Sequence, residues 1–132
     1  MEQTRAVDLA NCVQARRILT RLDQLAKIGR AEGGGVTRLA YSEQGTRARE
    51  LVIKWMGEAG LEVHVSPIGN IVGRLTGTEE RAPTVMTGSH IDTVVIGGRF
   101  DGALGIISAI EAAQIIYDSG TLLYDPLEVV CF

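Results

Sequence analysis

TVMTGSHIDTVVIGGRFDGALGIISAIEAAQIIYDSGTLLYDPLEVVCF, residues 84–132, reads as strand, loop, helix and strand in succession. Thr84 to Thr87 is a short apolar run that gives way to Gly88, Ser89 and His90, and Val94 to Phe100 is a loop. From Gly102, the residues Ala103, Leu104, Ile106, Ile107, Ile110, Ala113, Ile116 and Tyr117 form a helix that is apolar nearly all round, which predicts deep packing. It stops near Gly120. Pro126 then leads into Leu127–Phe132, whose continuous apolar character is that of a strand buried on both faces.

The pattern extends upstream. Leu61, Val63 and Val65 alternate with Glu62 and His64, which predicts a half-exposed strand with His64 facing solvent. Pro67, Gly69 and Asn70 make a turn, and Ile71–Leu75 returns as the hairpin partner. Before them Ala48, Leu51, Val52, Trp55, Met56 and Ala59 follow helical spacing, with Ser42 as the N-cap and Gly60 as the stop. Trp55 and Met56 lie on its buried stripe. Leu9, Val13, Ile18, Leu22, Leu25 and Ile28 predict one amphipathic helix from Asp8 to about Gly29. Gly33, Gly34 and Gly35 follow as a loop, or as a close backbone approach to a ligand. Thr76–Pro83 is an exposed loop, with Glu79 and Glu80 solvated. Strands alternating with helices predict an α/β sheet covered on both faces, a three-layer arrangement.

With 132 residues, 45% hydrophobic and 22% charged, the chain is long enough to bury a core and is neither disordered nor of low complexity. No apolar run reaches the roughly 18 residues that cross a bilayer, and the first residues lack the apolar stretch of a signal peptide, so the expectation is a cytoplasmic protein without membrane contact. Cys12 and Cys131, far apart and outside any Cys-x-x-Cys spacing, predict two reduced core thiols. The formal net charge of −3 argues against a general nucleic-acid binder. No Gly-x-Gly-x-x-Gly or Gly-x-x-x-x-Gly-Lys follows a strand, which leaves a nucleotide-binding reading without support. Charge is uneven along the chain. From Ala82 onward Arg99 stands alone against Asp92, Asp101, Glu111, Asp118, Asp125 and Glu128. Carboxylates among apolar strands must be solvated, paired or bound to a cation.

That directs attention to GSHIDTVVIGGRFDGALG, residues 88–105. His90 and Asp92, two apart at a strand end, can point the same way. Asp101 precedes a helix N-terminus, and ligands of α/β folds bind at such strand ends. Imidazole and carboxylate suit Zn, Mn, Co or Ni, and a second carboxylate can hold the ring by its other nitrogen. The ordinary alternative makes His90 a hydrogen-bonded loop residue, Asp92 a turn residue and Asp101 a helix cap.

GVTRLAYS (35–42), WMGEAGLEV (55–63), GNIVGRLTG (69–77), GSHIDT and GGRFDGALG, in this order over most of the chain, resemble the two-metal amidohydrolases. That group includes allantoate amidohydrolase, N-carbamoyl-L-amino-acid hydrolase and β-ureidopropionase, relatives of the dinuclear zinc aminopeptidases and carboxypeptidases. The resemblance implies the zinc-aminopeptidase-like catalytic domain, with residues 1–132 as its N-terminal portion and the lid domain absent. It implies that His90 and Asp101 are metal ligands, Asp101 bridging two divalent ions, and that Asp92 is the acidic catalytic partner supporting His90. The implied reaction is hydrolysis of a carbon–nitrogen bond in a linear ureido or amidino small molecule by a metal-bridged hydroxide. Ser66 stands where many members carry aspartate.

The resemblance also implies a glutamate base and further ligands beyond Phe132, so the 132-residue piece is expected to be inactive by itself, its parent a homodimer through the lid. Two alternatives remain. One is a peptidase of the same superfamily; the other is a shortened, non-catalytic interaction module that binds no divalent metal.

Overall fold

A computed structural model describes residues 8–132. Its elements run α1 (Ala15–Ala26), α2 (Glu43–Glu58), β1 (Glu62–Val65), β2 (Ile71–Leu75), β3 (Val85–Ser89), α3 (Ala103–Asp118) and β4 (Leu127–Cys131). The predicted helix from Asp8 to Gly29 is broken. Asn11 and Cys12 turn their amides back to Asp8 and Leu9, and the Gln14 amide leaves the helical pattern to donate to Glu111 Oε1 at 2.8 Å. The break also leaves Cys12 exposed, so of the two thiols expected in the core only Cys131 is there.

α2 follows its sequence signals closely. Ser42 Oγ accepts from Gly45 N at 3.0 Å, and Ala48, Val52, Trp55 and Met56 are buried. At the far end Gly60 takes φ +79°, while Leu61 N donates to Met56 O and Gly60 N to Gly57 O, a left-handed termination that an L side chain resists.

The four strands lie in the order β1-β2-β4-β3; β1 and β2 are the expected hairpin, and β3 runs parallel to β4. Their register puts Val63, Ile71, Gly73, Leu75, Leu127, Val129 and Cys131 on one face. The core joins strand residues of that face to Leu22 and Leu25 of α1, Val52, Trp55 and Met56 of α2, and Ile106, Ile107 and Ile110 of α3. Each such side chain contributes roughly 1.5–3 kcal/mol by leaving water. The α/β class is therefore as expected. The second helical layer is not among the described elements: the opposite face carries Glu62, His64, Val72, Arg74, Met86, Glu128 and Val130, with His64 and Met86 exposed, Val130 buried and Arg74 paired to Glu128 at 2.6 Å.

α3 buries less than its composition predicts. Leu104 and Tyr117 are exposed, whereas Glu111 is 1% exposed. The charged residue goes inside because Arg17 of α1 meets it there, with Nε and Nη2 donating at 2.6 and 2.9 Å.

Candidate metal centre

Because β3 and β4 are parallel and aligned Ser89 to Cys131, the residues following β3 leave the sheet at the carboxyl ends of both strands. His90 is the first of them. Its Nδ1 lies 3.2 Å from Asp92 Oδ1 and 3.0 Å from the Asp92 carbonyl oxygen. Both of those atoms only accept, so Nδ1 must carry a hydrogen, which leaves Nε2 as the position for the lone pair of the uncharged form. A histidine held in this way can offer its second nitrogen to a metal. Both side chains are roughly half exposed.

Gly102 packs against this ring with φ +65°. A Cβ built on it would stand 2.5 Å from both His90 Cε1 and the His90 carbonyl oxygen, so the residue beside Asp101 must be glycine on two grounds. Asp101 is exposed, and its carbonyl accepts from Ala103 N at 2.6 Å. Its carboxylate caps nothing: Gly102 is the N-cap of α3, without a side-chain cap bond. The ordinary reading of Asp101 as a helix cap is thereby excluded. The structure thus brings His90 and Asp92 into contact and places the peptide after Asp101 against the ring. Among the described residues it assembles no group of three His, Cys, Asp or Glu side chains able to hold a metal.

Other residues at this sheet end escaped the sequence reading. Arg38, 1% exposed, donates from Nε to the Ile91 carbonyl at 2.8 Å, and Thr93 Oγ1 accepts from Arg38 N at 2.8 Å. A lone arginine inside an apolar strand-like run, GVTRLA, was the available signal. Beside Asp92 a cavity of about 250 Å³ is lined by Tyr41, Arg49, Asn70, Ile91 and Phe132. The turn under it survives the serine at position 66, whose Oγ accepts from Asn70 N at 3.0 Å. Cys131, at the end of β4, is buried, and burial pushes its thiol up to about 11, with Arg49 and Arg38 pulling against that and Asp92 adding to it. The triple glycine proves to be a loop: Gly33, Gly34 and Gly35 all have positive φ, and Ala31 N donates to Gly35 O at 3.1 Å.

The sheet is mixed, and the His-x-Asp pair follows β3 at the carboxyl ends of its parallel strands. Residues 70–132 match the model of peptidase family M28. The crystal structure of a hydantoinase/carbamoylase family amidase from Burkholderia ambifaria superposes with a TM-score of 0.87 at 37% identity, over 91% of this chain and 29% of that one. An N-carbamoyl-L-amino acid amidohydrolase of Geobacillus stearothermophilus is 42% identical over 91% of this chain and 29% of its own length. Allantoate deiminase 1 of Glycine max is 42% identical over 86% of this chain and 24% of its own length. The chain belongs with these amidohydrolases, and it spans about 29% of the length of the N-carbamoyl relative.

Proposed function

We propose that residues 1–132 form the N-terminal part of the catalytic domain of a metal-dependent hydrolase. Its substrates would be linear amides or amidines such as N-carbamoyl amino acids or allantoate, cut at a non-peptide carbon–nitrogen bond. The observation that carries this is the anchoring of His90 through Nδ1 by Asp92, which leaves Nε2 free at the strand end. The names of the relatives supply the substrate class. His90 Nε2 and the uncapped carboxylate of Asp101 are the groups that would hold two divalent ions, and Asp92 would fix the ring. Bound Zn, Mn, Co or Ni would supply Lewis acidity and activate water at neutral pH.

Two ligands fall short of the three that a catalytic zinc takes. The remaining ligands and a general base would, on this reading, come from a longer protein. On this reading the 132-residue chain turns nothing over by itself but retains weak metal binding that depends on His90. The longer protein would be a cytoplasmic homodimer joined through a lid domain. No described helix is long and apolar enough to cross a membrane.

Zinc and manganese titration calorimetry on the chain and on His90→Ala tests the site: heat lost in the variant supports the reading, and identical isotherms, or none in either, overturn it. Ammonia release from N-carbamoyl-L-amino acids and from allantoate tests competence. Turnover by the isolated chain that disappears in His90→Ala would refute its inactivity. The match of residues 70–132 to a peptidase family favours one second reading, cleavage of short peptides. A dipeptide in the same assay on the longer protein separates the two.

A further inference from the structure

The loop carrying His90 and Asp92 is held by three successive residues far upstream. Val36 and Gly97 exchange backbone hydrogen bonds at 2.9 and 2.8 Å. Ile96, whose φ of +53° is costly for a β-branched residue, donates its amide to Thr37 Oγ1 at 2.8 Å. Arg38 accepts from Thr93 N at 2.9 Å, and its own amide donates to Thr93 Oγ1 at 2.8 Å. Thr93 Oγ1 in turn donates to Val36 O at 3.0 Å.

The side chain of Arg38 adds a second connection. Its Nε donates to Ile91 O at 2.8 Å, while Nη1 donates to Leu25 O at 2.9 Å and Ile28 O at 3.0 Å, at the end of α1. The Ile91 carbonyl belongs to the peptide that joins Ile91 to Asp92. Because that unit is planar, fixing its oxygen fixes the direction in which Asp92 leaves it. Asp92 then faces His90 Nδ1 with two acceptors. Burial disfavours the charge on Arg38, and the Asp92 carboxylate favours it. The two connections start from different nitrogens of one rigid plane, Nε and Nη1, whereas an ammonium offers its three donors from a single point.

We propose that Arg38 is a positioning residue: by tying the Ile91–Asp92 peptide to the end of α1, it holds Asp92 where it keeps the His90 ring in the Nδ1–H tautomer with Nε2 presented. The proposal deepens the reading of His90 as a ligand and rests on it. Histidine ¹⁵N chemical shifts on the labelled chain report the tautomer without any metal. In the wild type the Nδ1–H form dominates by at least tenfold; in Arg38→Lys the excess falls to threefold or less.

Zinc affinity, measured by calorimetry on the same samples, falls about tenfold or more, as for other residues that orient ligands. A folded Arg38→Lys that melts at a lower temperature but keeps both tautomer ratio and zinc affinity would make Arg38 merely structural and overturn the proposal. Should that variant not fold, Arg38→Gln, which removes the guanidinium and keeps a shorter polar side chain, shifts the tautomer ratio in the same direction; an unchanged ratio there overturns it too. Zinc binding by the wild type that ignores His90→Ala would instead sink the metal reading, while the tautomer ratio still judges Arg38.

Discussion

Glu111 and Asp92 are both carboxylates beside a basic side chain, and their surroundings differ in one respect that matters. Glu111 is closed: Arg17 Nε and Nη2 and the Gln14 amide all donate to it at 2.6–2.9 Å, at 1% exposure. Asp92 is open. It is half exposed and receives the His90 ring hydrogen, and that ring keeps an unused lone pair on its other side. A buried charge whose valences are satisfied within the fold serves the architecture, pinning α1 to α3. One held in place with a valence to spare is equipped to bind something else.

Removing Glu111 should have the largest effect. Glu111→Ala strands Arg17 and the Gln14 amide in a partly buried place, and breaking such a pair by one partner costs about 3–5 kcal/mol. Urea unfolding should show the loss with zinc binding retained at low denaturant. His90→Ala should do the reverse, losing metal at a stability cost of about 1 kcal/mol, one modest hydrogen bond. A Glu111→Ala cost no larger than that of His90→Ala would break the comparison.

The same contrast has a pH signature. Burial by itself would raise the Glu111 carboxyl, but the hydrogen bonds from Arg17 and Gln14, with the charges of Arg17 and Arg21, outweigh it and hold the group below its ordinary 4.5. A carboxyl depressed in the folded state adds stability that is fully present above the unfolded value and is lost as pH falls through the folded one. Melting temperature followed downward from neutral pH should therefore drop on passing below about 4.5, and Glu111→Gln should flatten that limb.

Glu111 also marks where sequence stops being informative. Ser42, Gly60 and the Trp55–Met56 stripe act through neighbours within a few residues, so α2 could be read from the chain alone. His90 and Asp92 were legible for the same reason, being two apart. The pairing of Glu111 with Arg17 and Gln14 spans more than ninety residues, and the reach of Arg38 to Ile91 spans fifty-three. No local period announces either. The break before Ala15 went unseen because its cause, the Gln14 amide turning to Glu111, lies on another helix. The second face was legible only in part, because an apolar strand sequence states how much it would bury, not what covers it: Val130 is buried there while Met86 is exposed.

Gly102→Ala sharpens the comparison at intermediate cost. Its φ of +65° and its contact with the His90 carbonyl cannot both persist once a Cβ is present. About 1–3 kcal/mol of backbone strain is expected, together with displacement of the imidazole. Circular dichroism melting and the ¹⁵N tautomer shifts should both change. A lower melting temperature with an unmoved ring would show that the strain relaxes into α3 rather than the site.

The smallest effect belongs to a pair that distance alone would rank beside Arg17 and Glu111. Arg99 Nη1 lies 2.9 Å from Asp23 Oδ1, with side chains 48% and 57% exposed, and its guanidinium also stacks over Phe100 at 4.5 Å. Solvated charges gain little by meeting, because water screens them and two long side chains must be ordered. Asp23→Ala should cost about 0.2–1 kcal/mol, and less in high salt, as read from urea midpoints at low and high ionic strength. If it cost as much as Glu111→Ala, burial would not be what separates closed charges from open ones, and the reason for assigning architecture to one carboxylate and chemistry to the other would be lost.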